Sequence, residues 1–500
     1  MKAAVLLPLA GLAASCSAGN APNVVYVFPD QMRGSAMGFW SDPSFRPYAR
    51  TAGDPVLTPA IDGFARESCV LSSAFSNCPV SSPHRGSLLT GMYPSRSGVP
   101  INCRSDRPYS AVRDDLTCIG DAFKAAGYDC GYIGKYHADH PQPNDPQRPG
   151  TYTDPRLPAW DAFTPPERRH GFDFWYSYGT FDVHKDPHYW DSEGGRHDPH
   201  EWSPLHEAKV ASDYIKGKGR RRGRPFLLMV SMNPPHSPYR SLDDCEKQDY
   251  DLYAGKPLKD LLVRPNADTT MRKAACAAYY FASVSGVDRA FGQILAALRE
   301  AGLEDNTIVV FASDHGETMC SHGVTEPKNL IYTEAANTPF IVRWPGHVRP
   351  RVDDLLLSSP DIMPTLLGMA GLAGYIPAGI HGRDLSPLFL ENGRSCERPE
   401  DALYLKNLDG NGWFRPYFPS VRGVKTDRWT FAIEINPDGS LKGTQLFDDL
   451  ADPYQTVNIP PSDRPEEVAD LCRRLGRLLK KAEDPWYEKG VLSSIIPYEK

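Results

Sequence analysis

The stretch Ser81-Ser82-Pro83-His84-Arg85-Gly86-Ser87-Leu88-Leu89-Thr90-Gly91 holds a hydroxyl just before a proline, then an arginine, then an apolar run. Pro83 suits the first turn of a helix, where a missing N–H costs nothing. Ser81 then stands at a helix N-terminus, where free backbone donors and the dipole favour an anion. Arg85, about one turn on, points back at the same spot as a forked donor for a tetrahedral oxyanion. The same letters also describe an N-capping serine on an ordinary helix. Taken alone, this stretch leaves both readings open.

Eight further polar residues follow short apolar runs: Asp30, Gln31, Lys135, His137, His236, Asp314, His315 and Lys328. Two acidic side chains, an amide oxygen and the Ser81 position suit a hard cation such as calcium or magnesium. His315 adds a softer ligand. The strands that must hold these groups are read at Asn23–Phe28, Val70–Phe75, Tyr128–Gly134, Pro225–Met232, Asn306–Ala312 and Asn337–Arg343. Helical periodicity falls on Thr58–Cys69, Leu116–Ala126, His206–Lys216, Met271–Ala301 and Asp361–Ala370. This alternation predicts an α/β fold with a large mixed or parallel sheet sandwiched by helices, and ligands beyond the carboxyl ends of its strands.

From about Gly382 the character changes. Short strands at Leu403, Ser420–Val424, Trp429–Ile435 and Thr444–Phe447, with an amphipathic helix over Pro465–Ala482, predict a smaller α+β domain carrying an antiparallel sheet. The predicted boundaries are 1–16 for a leader, 20–380 for the first domain and 381–500 for the second. Between the motifs lies an irregular insert, Ala138–Trp202, rich in Pro, His, Asp and aromatics. Its tryptophans Trp175, Trp190 and Trp202 predict an ordered, substrate-facing surface rather than disorder.

The chain has 500 residues, 41% of them hydrophobic and 23% charged, enough for a large core and more than one domain. A net charge of -7 implies no general affinity for nucleic acid or an anionic membrane. The apolar run Ala3–Ala14 is too short to span a bilayer and fits a secretory leader. Leu12-Ala13-Ala14-Ser15-Cys16 resembles a bacterial lipobox, which would make Cys16 the lipidated first residue; a plain cleaved leader is the alternative. The expected address is therefore outside the cytoplasm: periplasmic, or anchored to the outer membrane of a Gram-negative bacterium by lipid alone. Ten other cysteines permit disulfides without fixing a pairing, and none forms a C-x-x-C zinc spacing. Most are read as small buried hydrophobes.

Taken together, the motifs resemble those of the type I sulfatases, formylglycine-dependent members of the alkaline phosphatase superfamily. Ser81-x-Pro83-x-Arg85 running into Leu88-Leu89-Thr90-Gly91 is similar to the signature around the family's modified nucleophile. Gly131-Tyr132-Ile133-Gly134-Lys135-Tyr136-His137 is similar to its second signature. Ser313-Asp314-His315-Gly316, Lys328, Thr338–Gly346, Leu446-Phe447-Asp448 and Asp452–Asn458 follow in family order. The resemblance runs from Asn23 to the C-terminus and is weakest in the insert.

It implies an alkaline phosphatase-like fold and hydrolysis of a sulfate ester on a carbohydrate: a glycosaminoglycan, a mucin-type or an algal glycan. It implies formylglycine made from Ser81 by a radical SAM maturation enzyme, as in serine-type bacterial sulfatases. It makes Asp30, Gln31, Ser81, Asp314 and His315 the ligands of one calcium ion. Gln31 and His315 depart from the aspartate and asparagine that the family usually carries there. Arg85, Lys135 and Lys328 gather sulfate oxygens, His236 protonates the leaving alcohol, and His137 takes a proton from the second hydroxyl of the hydrated aldehyde. His184, Asp186, Tyr189, His322, Asn407 and Asp409 are the candidates for shaping the sugar pocket. A phosphomono- or diesterase using unmodified Ser81 is the competing expectation.

Overall fold

A computed structural model describes residues 21–141, 158–161, 163–390, 395–407 and 419–492. The leader and Asp409 lie outside the described residues. The six apolar runs fall on six strands of a ten-stranded sheet, and β4, β5, β6 and β10 are strands that the sequence did not announce: β1 Asn23–Val27, β2 Cys69–Leu71, β3 Asp129–Lys135, β4 Phe174–Tyr178, β5 Tyr189–Asp191, β6 Arg196–His197, β7 Phe226–Ser231, β8 Thr307–Ala312, β9 Phe340–Arg343 and β10 Arg351–Asp353. Their order is β10-β2-β9-β8-β1-β7-β3-β4-β5-β6. The central five, β8-β1-β7-β3-β4, are parallel. β9 pairs antiparallel with both β8 and β2, and β5 does so with β4 and β6, so the sheet is mixed.

Successive residues of a strand face opposite sides, so a strand covered on both faces reads as a continuous apolar run. Val25 and Val27 of β1 and Leu228 and Val230 of β7 join one core with the helices Pro59–Arg66, Ser203–Ile215 and Ala277–Glu300. Val24, Tyr26, Leu227 and Met229 join the opposite core with the helices Ser81–Thr90, Ile119–Ala125 and Ile362–Met369. Both cores therefore grip the strands that end at the polar motifs.

A second, antiparallel sheet runs in the order β11 Asp401–Asn407, β12 Pro419–Thr426, β13 Trp429–Ile435 and β14 Leu441–Asp448. The helix Pro465–Lys481 buries Val468, Leu471, Cys472, Leu475 and Leu479 against it. Cys78 belongs to the same cluster, three residues before Ser81. Asn77 locks the contact: its Nδ2 donates to Leu403 O at 2.6 Å and its O accepts from Leu405 N at 2.7 Å. The small sheet thus steadies the chain leading into Ser81.

The insert corrects an expectation. In its described residues, β4 to β6 extend the large sheet, and the three tryptophans expected to face substrate, Trp175, Trp190 and Trp202, are buried. Trp175 stacks on Tyr132 of β3, and the Trp202 indole donates to Asp244 O at 3.0 Å. An aromatic finds more apolar contact in the core than at a wet surface. The ten cysteines after the leader are all free, eight of them buried, as small hydrophobes would be. Among the described residues no helix is long and apolar enough to cross a membrane.

Candidate active site

Four adjacent parallel strands deliver the polar groups at their carboxyl ends. β1 leads to Asp30 and Gln31, β3 ends in Lys135 with His137 just beyond, β7 leads to Asn233 and His236, and β8 leads to Asp314 and His315. Backbone pairing ends there, so side chains and loop N–H groups take over the open space. Gln31 and His137 sit at positive φ, 64° and 45°, which turns each chain sharply off its strand.

Ser81 is the first residue of its helix, and Val80, not Ser81, is the cap. No side chain caps this helix. The Ser81 hydroxyl points away from the helix: it donates to Asp30 Oδ2 at 2.9 Å and lies 3.2 Å from His315 Nε2. The capping reading is thereby ruled out by geometry. Arg85 reaches back toward the helix start, as helical side chains lean. Its guanidinium donates to Asp30 Oδ2 at 3.2 Å, Asp314 Oδ2 at 3.1 Å, Ser231 Oγ at 2.6 Å and Lys135 O at 2.7 Å.

Asp30 is the hub. Its Oδ2 also meets Lys135 Nζ at 2.8 Å, and Lys135 donates to Asn233 Oδ1 at 3.0 Å. Burial resists ionisation of Asp30, but Lys135, His236, His315 and Lys328 around it hold its carboxyl well below the usual range. Burial pushes the His315 imidazole down to about 4 and keeps the His137 imidazole neutral as well. The His137 Nε2 lies 3.3 Å from Cys103 O, and Cys103 N donates to Ser82 Oγ at 3.0 Å, so that ring is tied to the residue after Ser81.

His236 and Lys328 meet at the other side. His236 Nδ1 lies 2.7 Å from Ser237 O, so this nitrogen carries the proton, and Nε2 accepts from Lys328 Nζ at 2.7 Å. Burial draws the Lys328 ammonium down from its ordinary range, with Asp30 acting against that and Lys135 adding to it. Asp182 Oδ1 stands 3.4 Å from His236 Nδ1 and accepts from Asn233 Nδ2 at 3.2 Å.

The residues present fit a cation. Asp30 Oδ1 and Gln31 Oε1 are fully buried oxygens with no hydrogen-bond partner, a costly state unless something positive completes it. Ligand atoms of Asp30, Asp314 and His315 all lie within 4.8 Å of one another. Oxygen donors with one imidazole suit a hard divalent ion. The amide of Gln31 is held by Glu317, whose Oε2 accepts from its Nε2. A second group of ligand types, Cys118, Asp121 and His170, has another explanation: Cys118 and Asp121 form the reciprocal capping box of the helix Ile119–Ala125.

Of the candidates for the sugar pocket, Tyr189, His184 and Asn407 are buried, and His184 feels the charges of Asp182 and His236. Tyr189 is buried and donates to Glu207 Oε1 at 2.9 Å. His322 packs on Tyr332 and meets Glu334 Oε2 at 3.0 Å. Asn407 donates to Pro100 O at 2.7 Å and accepts from Arg422. His184, within the insert, is buried with Nδ1 3.2 Å from Asp244 O. Tyr189, His322 and Asn407 each have a protein partner, whereas His184 Nε2 has none. Asp186 alone is exposed, paired with His200 at 2.9 Å. Sequence reasoning missed Asp182, Asn233 and Glu317. Asn233 and Glu317 follow strand ends by two and five residues, the position that flagged the others.

His184 carries a testable pH effect. Burial pushes its imidazole from 6.5 down to about 4, so the unfolded chain binds the proton first as pH falls. Stability tied to the neutral ring is intact above 6.5 and is lost on descent toward about 4. His184→Gln should flatten the fall in urea-unfolding free energy across that window by up to one proton, about 1.4 kcal/mol per pH unit. An unchanged slope would refute it.

A buried hydroxyl at a helix start, two carboxylates, two lysines, an arginine and three histidines gathered at the carboxyl ends of parallel strands define a hydrolase of the alkaline phosphatase-like fold. The chain matches the sulfatase family over residues 22–372, and the C-terminal region of N-sulphoglucosamine sulphohydrolase over residues 321–483. It is 59% identical to an endo-4-O-sulfatase of Bacteroides thetaiotaomicron, over 95% of each chain. It is 32% identical to an ulvan-active sulfatase of Formosa agariphila, over 88% of this chain and 77% of that one. A solved structure from work on glycosaminoglycan metabolism by Bacteroides thetaiotaomicron superposes with a TM-score of 0.93 at 59% identity, covering 96% of this chain and all of that one. The phosphonate monoester hydrolase of Agrobacterium radiobacter shares the fold at a TM-score of 0.63 and 20% identity, covering 93% and 96%. The chain belongs to the sulfatase family and is an enzyme of sulfate ester hydrolysis.

Proposed function

We propose that this protein is an exported, endo-acting 4-O-sulfatase of glycosaminoglycan chains, matured by oxidation of Ser81 to formylglycine. The observation that carries it is the Ser81 hydroxyl, turned off its helix and held between Asp30 and His315. The 59% identical endo-4-O-sulfatase supports the bond and the mode of attack. The leader-like run Ala3–Ala14 before Cys16 supports export.

Asp30, Gln31, Asp314 and His315 would hold one calcium ion, which supplies fixed positive charge for the sulfate oxygens and for the nucleophile at position 81. Hydrated formylglycine supplies two hydroxyls, one to attack sulfur and one whose deprotonation releases sulfate. Arg85 and Lys135, both buried, and the half-buried Lys328 bear the remaining oxyanion charge, which counts most away from water. His137 is neutral and buried, the state required of a base. The Lys328 ammonium passes a proton to His236 Nε2, which hands it to the departing sugar oxygen, with Asp182 stabilising the transient imidazolium.

This division of labour predicts a split by leaving group. His236→Ala should slow an alkyl sugar sulfate by about 10²–10⁴-fold and spare an aryl sulfate with an acidic phenol, which leaves unprotonated. Asp182→Asn should show the same split at smaller size, about tenfold. Equal losses on both substrates would remove His236 from the acid role. For the function itself, the matured protein is offered a 4-O-sulfated glycosaminoglycan polymer and its 6-O-sulfated isomer. Sulfate release from the intact 4-O polymer is expected; release only from terminal residues, or only from the 6-O isomer, would overturn the assignment.

A further inference from the structure

Position 31 presents an amide where the site's chemistry asks for an oxygen. An amide has two faces, and a cation accepts only one: the oxygen attracts it and the NH₂ repels it. Gln31 leaves its strand at positive φ, its backbone N donates to Asp314 Oδ1 at 3.1 Å, and its Oε1 is buried without a partner. Its Nε2 donates to Glu317. Glu317 is fully buried and accepts from five donors: Gln31 Nε2, Tyr239 Oη at 2.8 Å, Lys273 Nζ at 2.5 Å, Met319 N at 3.0 Å and, longest, Thr318 Oγ1 at 3.5 Å. Lys273 and Met319 N use Oε1, which leaves Oε2 for Gln31 and Tyr239.

We propose that Glu317 is the positioning residue that makes Gln31 an oxygen ligand, by holding the NH₂ end of the amide away from the cation site. A carboxylate only accepts, so the Gln31 NH₂ must face it and the carbonyl oxygen must face Asp30, Asp314 and His315. The inference rests on the cation reading above and reaches past it to a residue that touches neither cation nor substrate. It also implies a coupling: with Glu317 present, a glutamate at position 31 would set two buried carboxylates against each other.

Three isosteric changes follow from that geometry. In Glu317→Gln, the new amide keeps its oxygen toward Lys273 and Met319 N and turns its NH₂ toward Gln31. Gln31 then rotates to offer its oxygen to that donor and points its NH₂ at the cation. Gln31→Glu alone sets carboxylate against carboxylate. The pair Q31E/E317Q restores one donor and one acceptor between the residues and returns an oxygen to the site.

The test is calcium binding to the chelator-stripped full chain, followed by isothermal titration calorimetry with Ca²⁺ alone; no maturation of Ser81 is needed. E317Q should bind Ca²⁺ about 10–100-fold more weakly than the unaltered chain. Q31E/E317Q should bind at least as tightly as the unaltered chain. Circular dichroism reports whether each variant folds. If E317Q does not fold, Gln31→Met replaces it: it keeps Glu317, removes the amide oxygen and should show the same loss, while Q31E/E317Q still recovers. Unchanged affinity in a folded E317Q, or a double variant no better than the weakened single one, overturns the role of Glu317 and leaves the cation site standing. No heat from the unaltered chain overturns the cation reading itself.

Discussion

Ser81→Ala is expected to lower turnover of a sulfate ester by at least about 10⁴-fold while leaving the fold in place. The hydroxyl makes only two contacts, to Asp30 Oδ2 and His315 Nε2, and its helix is not capped by it. Losing those bonds costs about 1 kcal/mol, small against a buried sheet. Chemistry loses everything, because no other hydroxyl is placed between the same carboxylate and imidazole. The same reasoning separates the encoded protein from the mature one. A serine can form a sulfate ester but has no second hydroxyl whose deprotonation would expel the sulfate. Chain made without the maturation enzyme should therefore be as inactive as S81A, and the active form should be lighter by about 2 Da at the Ser81 peptide. Peptide mass spectrometry paired with sulfate release checks both. Full sulfatase activity with serine intact would defeat the proposal, and phosphatase activity in its place would favour the phosphoesterase alternative.

Asp30→Asn should strike stability and activity together. The side chain keeps its shape but loses the charge that Arg85, Lys135 and the Ser81 hydroxyl share at Oδ2. Arg85 and Lys135 are each 1% exposed, so water cannot replace the carboxylate. Asp314 still pairs with Arg85, but Lys135 keeps only the neutral Asn233. Breaking one partner of a buried ion pair costs about 3–5 kcal/mol, to be read as a lower midpoint of urea unfolding. Turnover should fall in parallel, because an orphaned oxygen of the cation site goes with it. A variant with the unaltered midpoint would show that Asp30 is no electrostatic keystone. Asp54, which holds the buried Arg33 at 2.6 Å, provides a control: it is an equally buried pair at which no cation oxygen is lost.

The strands, their order of appearance and the polar groups at their ends were legible because both follow local rules. An apolar run buried on two faces is continuous, and β1, β7 and β8 lie within two residues of the runs that announced them. Asp30, Gln31, Lys135, His137, His236, Asp314 and His315 sit one to five residues after such a run. What misled was the insert. Trp175, Trp190 and Trp202 lie among prolines and histidines, and local polarity made them look wet, yet β4, β5 and the start of the helix Ser203–Ile215 carry them into the cores. Burial is a property of partners distant in sequence, and no window of the chain contains them.

By itself the sequence determined the inventory: a serine, an arginine, two lysines, histidines and carboxylates in an order that matches a family. It also determined that Gln31 and His315 are unusual. Only the tertiary structure decided which way those groups point. It turned Ser81 off its helix, left the oxygens of Asp30 and Gln31 without partners, and brought Glu317, 286 residues away in sequence, to the amide of Gln31. Hydrogen bonds act over about 3 Å, so direction is set by whichever neighbour the fold delivers.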